Sequence, residues 1–183
     1  MEGVDVFWKE KKKEKAIRLV TEATKNILRS SERDKVFVGA EVVGQDPYLY
    51  GFLLSFISIS ITLSLQILMN KQNFFLDQTN LNLAVSKVID NIYGVTAIDI
   101  LNRSGEHSSD KNLKMGAEKA AKIVLISMGE WTDINDEDYK FAIDNLAKSK
   151  NLADAIFGKG TTSDNSAVAG ELLVKYWVER IPV

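Results

Sequence analysis

Apolar side chains recur three and four positions apart along most of this chain. The pattern is clear over about 4–29, returns around 81–92 and again over about 110–128. Such spacing places apolar side chains on one face of an α-helix. Residues typical of helix ends separate these segments, including Asn70, Gly94 and Gly129. The pattern therefore predicts an all-α fold, a single compact bundle of eight or nine helices in one domain over residues 1–183.

The longest apolar segment runs from Pro47 to Asn70 and contains no charged side chain. Asp46 followed by Pro47 is typical of a helix N-cap with proline in the first turn. Because a helix enclosed by other helices is apolar nearly all round, we predict that a helix over about 46–69 forms the buried centre of the bundle. Much of 55–67 also alternates between apolar and polar residues, so a β-strand at 55–67 is the minor alternative.

The same segment is long enough to cross a bilayer, which takes about 20 apolar residues. Basic residues between Lys9 and Lys15 precede it, as they would on the cytoplasmic side of a membrane. However, the segment is rich in Ser and Thr, and no aromatic residues at its C-terminal end match Tyr48 and Tyr50. Membrane insertion by 48–69 is therefore an alternative that we do not favour.

Local signals also predict the boundaries of the other helices. A second helix is expected over 32–43, closed by Gly44, and Asp77 or Thr79 is expected to cap the next long helix. Asn135 or Asp136 should begin a helix, and short helices are expected at 96–101 and 152–157. The inward face of the helix near 110–128 is predicted to consist of Leu113, Ala117, Ala120, Ala121, Val124 and Leu125.

Composition narrows the classes of function. The 183 residues are 45% apolar and 26% charged, with a formal net charge of −2, no cysteine and one histidine. Without cysteine, a disulfide scaffold, a thiolate metal site and a cysteine nucleophile are excluded. The near-balanced charge gives no general attraction to nucleic acid. The N-terminus does not resemble a signal peptide, so we expect a cytoplasmic protein.

Two polar segments are candidates for chemistry. His107 lies in a polar segment near Glu106 and Asp110, and a histidine beside a carboxylate could act as a general base. The acidic cluster Asp133, Asp136, Glu137 and Asp138 could chelate Ca²⁺ or Mg²⁺ but lacks the pattern of an EF-hand. A solvated loop histidine and a favourable acidic helix start are the preferred interpretations. We predict no catalytic residue, metal site or cofactor.

The start of the first helix is the most basic part of the chain. Lysines beside a tryptophan could contact an anionic surface or a nucleic acid. Glu10 and Glu14 interrupt the lysines, which favours a solvated helix start and makes nucleic acid binding unlikely. The possible contact residues are Trp8, Lys9, Lys11, Lys12, Lys13 and Lys15.

The final helix has apolar residues on two faces, whereas a helix on the surface of a bundle needs one. Tyrosine and tryptophan are also favoured at the centres of protein interfaces. A terminal helix packed wholly into its own core is an equal alternative. The predicted partner-binding residues are Val174, Tyr176, Trp177 and Ile181.

No combination of residues in the sequence provides a nucleophile with its base, or three metal ligands at suitable spacing. We therefore expect a non-enzymatic helical protein-interaction module that binds a protein partner or itself, as an inhibitor, an immunity-type protein or an assembly protein does. Membrane insertion through 48–69 and nucleic acid binding through the basic first helix are the alternatives.

Overall fold

The structure, a computed structural model, describes residues 2–30, 38–94, 109–131, 133, 135–146 and 165–181. Every regular element within these ranges is a helix, which confirms the all-α prediction. The elements are α1 (Glu2–Ser30), α2 (Ala40–Gln45), α3 (Pro47–Met69), α4 (Gln78–Tyr93), α5 (Lys111–Ser127), α6 (137–146), α7 (Asn165–Tyr176) and a 3₁₀ turn (Val178–Arg180).

Three predictions fall outside the described residues. They are the short helices at 96–101 and 152–157 and the placement of His107. The total of eight or nine helices depends on the same segments and stays a prediction. The minor alternative of a strand at 55–67 is wrong, because all of these residues belong to α3.

The chain divides into two compact units, Met1–Glu118 and Lys119–Val183. Helix α5 contributes its first eight residues to the first unit and the rest to the second. The single domain over 1–183 stays a prediction.

Helix α3 begins and ends at the residues that the sequence predicts. The Asp46 side chain accepts hydrogen bonds from the backbone N–H groups of Tyr48 (2.8 Å) and Leu49 (3.2 Å), and Pro47 occupies the first turn. At the other end Asn70 adopts the left-handed conformation with φ 54°, which stops the helix. Ten residues of α3 are buried, eight of them before residue 58.

Helix α2 differs from the predicted helix over 32–43 at both ends. It begins at Ala40 with Gly39 as its N-cap, so Val38 and Gly39 are not helical. Gly44 was expected to follow the helix, but it is a buried residue within α2, which continues to Gln45. Asp46 serves both as the C-cap of α2 and as the N-cap of α3. Because α3 starts immediately afterwards, no glycine turn is needed to end α2.

Helices α1, α3 and α4 pack against one another in the first unit. Asp77 caps α4 by accepting a hydrogen bond from the Asn80 N–H at 2.9 Å, and Gly94 ends α4 with φ 66°, as predicted. Backbone and side-chain hydrogen bonds from Asn80 lower the pKa of Asp77. The buried residues that α1 and α4 contribute are Ala16, Ile17, Val20, Thr21, Thr24, Ile27, Leu28, Ala84, Val85, Val88 and Ile89.

Helices α1 and α4 run in the same direction. Near their beginnings, Lys13 Nζ donates a hydrogen bond to Asn80 Oδ1 at 3.2 Å. Near their ends, the Tyr93 hydroxyl donates to the Val38 carbonyl at 3.1 Å, and the Val38 N–H donates to the Leu28 carbonyl at 3.5 Å. Burial raises the pKa of Tyr93, so this hydroxyl keeps its proton well above neutral pH.

The first half of α3 crosses the start of α5 at very short range. A methyl group added at Gly51 would overlap the Leu113 carbonyl oxygen, and one added at Gly116 would overlap the Tyr48 carbonyl oxygen. Beside this crossing, Ser55 Oγ donates a hydrogen bond to the Ala117 carbonyl at 3.1 Å. The two backbones therefore meet where neither glycine has a side chain.

The buried face of α5 differs from the predicted one. Ala120 and Val124 are buried as expected, but Leu113, Ala117, Ala121 and Leu125 are half-buried. Ile123 and Ile126 are buried instead. Successive residues of an α-helix are rotated by about 100°. The buried face of α5 is therefore centred near Gly116 and Ala120, roughly a quarter turn from the predicted face. The contact of Gly116 with the α3 backbone fixes this rotation.

Candidate functional site

The four residues predicted to bind a partner differ in exposure. Val174 is 49% exposed, while Tyr176 and Ile181 are half-buried. Trp177 is completely buried, so the indole packs in the protein interior and offers no surface to a partner. The structure therefore favours the core alternative for Trp177 and leaves Val174 as the most accessible of the four.

Asp138 lies at the centre of the polar network of the second unit. The sequence predicts only that this carboxylate favours the start of a helix. Asp138 Oδ2 accepts from Lys119 Nζ and Lys122 Nζ, each at 2.7 Å. Asp138 Oδ1 accepts from the Tyr176 hydroxyl and, at 3.4 Å, from Lys175 Nζ. We call Asp138 with its partners Asp136, Lys119, Lys122, Lys175 and Tyr176 the Asp138 cluster.

Local structure explains how these groups meet. The Asp136 side chain accepts from the N–H groups of Asp138 (3.0 Å) and Tyr139 (3.1 Å), so it caps α6 as predicted. Lys119 and Lys122 are three residues apart on α5 and so share one face. Lys122 Nζ also lies 2.7 Å from Asp136 Oδ2, which ties α5 to the start of α6.

The electrostatics of the cluster keep Asp138 ionised. Burial alone would raise the pKa of Asp138, but hydrogen bonds from Lys119, Lys122 and Tyr176 outweigh it and hold that pKa far below its usual range. Burial and the bond to Asp138 raise the pKa of Tyr176. A general base works best with a pKa near the working pH. Asp138 is therefore a weak base.

Aromatic rings surround the three lysines. The ammonium of Lys175 lies 3.9 Å from the centroid of the Phe141 ring, and that of Lys119 lies 4.5 Å from the Tyr176 ring. Lys122 lies 5.4 Å from the Trp131 ring. These distances are within the range of cation–π attraction. The lysines are thus held both by carboxylates and by rings.

Two exposed apolar side chains belong to the helices that carry the cluster. Phe141 is 38% exposed and contacts Lys175, which follows Val174 directly in α7. We call Val174, Phe141, Lys175 and Tyr176 the α7 surface. It combines two accessible apolar side chains with a cation and a hydroxyl whose positions the Asp138 cluster fixes.

The sequence pattern indicates only part of this arrangement. It identified Val174 and Tyr176 from the pattern of α7, but it missed Phe141, Lys175 and the lysines of α5. The ion pairs of Asp138 join residues 16 to 37 positions apart. Local spacing carries no signal for such contacts.

The other candidate sites from the sequence are the acidic cluster and the basic start of α1. No group of three or more His, Asp or Glu side chains that could hold a metal ion occurs in the described part of the chain. Within the acidic cluster, Asp136 caps α6 and also binds Lys122, Asp138 binds three lysines, and the Asp133 side chain accepts from the Asn135 N–H at 3.0 Å. In the basic start of α1, Trp8 is 57% exposed and Lys11 Nζ lies 5.8 Å from its ring. Lys9 and Lys15 are exposed, whereas Lys12 and Lys13 are half-buried.

Helix α3 meets the length and composition required of a membrane span. Its most apolar window has a mean hydropathy of 2.1, and 28% of that window is buried. Among the described residues it is the one helix that meets these criteria. Core helices of soluble proteins meet them too, so composition alone does not assign α3 to a membrane.

Comparisons with protein-family models, with curated proteins and with solved structures found no match for this chain. Any function must therefore be argued from the residues themselves.

Proposed function

We propose that this chain is a non-enzymatic helical interaction module whose α7 surface binds another protein. The observation that carries the proposal is that the exposed Phe141 ring lies against Lys175, which the Asp138 cluster holds in place, and that exposed Val174 directly precedes Lys175 in α7. Interface centres combine apolar or aromatic anchors with a few fixed polar groups. The α7 surface has this composition.

Preorganisation supports the proposal. Free lysine side chains lose considerable rotamer freedom when a partner orders them. Here Lys175 is already placed between the Phe141 ring and Asp138, so that loss is smaller when a complex forms. A partner segment with an apolar side chain flanked by a carboxylate fits this surface, because it covers Val174 and Phe141 and meets the nearby lysines.

As part of the same proposal, α3 forms the buried centre of a helical bundle. Ten buried residues along α3 and its close crossing with α5 support this role. A cytoplasmic location and action as an inhibitor, immunity-type or assembly protein complete the proposal.

Site-specific photo-crosslinking tests it. A benzoylphenylalanine at Val174 is irradiated in extract of the native host, and Leu19, a 49% exposed residue of α1, carries the same probe as the control. We expect one protein, or a second copy of this chain, to be crosslinked from position 174 and not from position 19. The product is then purified, and its affinity for the unlabelled chain is measured. Identical products from both positions, or a product without measurable affinity, would contradict the proposal.

A further inference from the structure

A groove that opens to solvent runs between α1 and α4 in the first unit. It has a volume of about 420 Å³. The hydrogen bond from Lys13 to Asn80 lies before it, and the bond from Tyr93 to the Val38 carbonyl lies after it, because the residues that line the groove fall between these contacts in both helices. Small-molecule sites in proteins begin at about 300 Å³, so the groove has room for more than a single ion.

The floor of the groove consists of Ile17 and Thr21, which are 5% and 4% exposed. The Thr21 hydroxyl donates its hydrogen to the Ile17 carbonyl at 2.8 Å. A hydroxyl has one hydrogen and two acceptor lone pairs. Towards a molecule in the groove, the Thr21 oxygen is therefore an acceptor, and it matches a ligand hydroxyl.

Two cations line the groove from different helices, Arg18 from α1 and Lys87 from α4. Both are exposed, and neither side chain forms an ion pair or hydrogen bond with another described residue. Asn91, four residues after Lys87, lies on the same face of α4 and also lines the groove. Guanidinium, ammonium and amide groups all donate hydrogen bonds to phosphate oxygens. Donors from both helices therefore serve one groove.

Two carboxylates also line the groove. Glu22 lies 3.2 Å from Lys25 Nζ, so its charge is balanced within α1. Glu14, one turn before Arg18, has no such partner among the described residues. Asp90 of α4 is exposed and lies outside the groove lining. Three cations against two carboxylates give the groove a net charge of +1.

We propose that this groove binds an organic phosphate that carries hydroxyl groups. Arg18 and Lys87 hold the phosphate, whose charge of about −2 near pH 7 matches two unpaired cations. Hydroxyls of the ligand donate to Glu14 and Thr21, and its carbon skeleton covers Ile17. The groove belongs to the first unit and the α7 surface to the second, so the two proposals are tested independently.

The lining favours an organic phosphate over a bare anion. Inorganic phosphate would leave the Thr21 oxygen and the Ile17 side chain without a ligand group. It would also place a second anion near Glu14 with no hydroxyl between them. A hydroxylated skeleton satisfies all three residues.

Isothermal titration calorimetry on the full chain tests the proposal at physiological salt. The probe is glucose 6-phosphate, and glucose and inorganic phosphate are titrated separately. We expect glucose 6-phosphate to bind about tenfold more tightly than inorganic phosphate, because its hydroxyls add hydrogen bonds, and glucose alone to show no measurable binding. Thr21→Val should weaken the binding of glucose 6-phosphate about fivefold and leave that of inorganic phosphate unchanged.

The role of the two cations is tested by Arg18→Gln with Lys87→Gln, which should weaken the binding of glucose 6-phosphate at least about tenfold. The matched control is Lys15→Gln with Lys114→Gln, because these exposed lysines lie outside the groove lining and the same charge is removed. The control should bind like the wild type, and circular dichroism checks that all variants are folded. No binding of glucose 6-phosphate to the wild type, or equal binding by the two double variants, would overturn the proposal. Inorganic phosphate that binds as tightly as glucose 6-phosphate would show a simple anion site and would overturn it as well.

Discussion

Gly51 and Gly116 mark the same helix crossing from opposite sides. Each lies where a side chain would overlap the backbone of the other helix, at Leu113 for Gly51 and at Tyr48 for Gly116. Because the obstacle is backbone, no rotamer change can relieve it. The two glycines therefore set how closely α3 and α5 approach.

Replacing either glycine by alanine should destabilise the protein. The methyl group must push α3 away from α5, and overpacking of this kind costs about 3 kcal/mol. We expect Gly51→Ala and Gly116→Ala each to lower the midpoint of urea unfolding, measured by circular dichroism, without changing the slope.

At Gly170, by contrast, alanine should stabilise the protein. It is an exposed residue of α7, and a methyl group there meets nothing within 4 Å. Since alanine has the higher helix propensity, Gly170→Ala should stabilise the protein by about 1 kcal/mol. A Gly51→Ala or Gly116→Ala variant as stable as the wild type would contradict the close crossing of α3 and α5.

Removal of the charge on Asp138 should be costly. Its side chain is 10% exposed and accepts bonds from three lysines and a tyrosine. Asp138→Asn leaves part-buried ammonium groups without their carboxylate, so we expect a loss of about 3 kcal/mol in the free energy of unfolding. Glu137→Gln is the control. Glu137 is exposed, so that change should stay within about 0.5 kcal/mol. Equal effects of the two substitutions would show that the Asp138 cluster does not form.

The carboxylate of Asp138 should make the stability of the protein depend on pH. The pKa of Asp138 is lowered in the folded state, whereas the pKa of an unfolded aspartate is about 3.9. The stabilisation is therefore complete above that value and is lost as the pH falls below it. The difference in Tm between wild type and Asp138→Asn should be constant from about pH 7 to 5 and should shrink below about pH 4. Thermal melts across this range check it, and a difference that stays the same at the acid end would contradict it.

The sequence predicted those features that depend on neighbouring residues. Asp46 with Pro47, Asp77 and Asp136 all cap the helices that they were expected to cap, because a cap binds N–H groups two or three residues away. The prediction that Gly44 ends α2 was wrong, because α2 continues to Gln45 and Asp46 begins α3 immediately afterwards.

Features that depend on distant residues could not be predicted. Gly116 carries no hydrophobic signal, yet its contact with Tyr48 determines which face of α5 is buried. Trp177 and Val174 belong to the same apolar pattern, but one is fully buried and the other is exposed. The lysines around Asp138 come from α5 and α7, whereas Asp138 lies in α6, so only the folded chain brings them together.

The affinity of the chain for the partner crosslinked at Val174 is the most direct test of the proposed function. Val174→Asp should weaken binding at least tenfold, because a charge replaces an apolar anchor, and it should leave the Tm nearly unchanged. Leu83→Asp, which alters a 54% exposed residue of the first unit, is the matched control and should bind like the wild type. An unchanged affinity for the folded Val174→Asp variant would contradict the assignment of the α7 surface as the binding site.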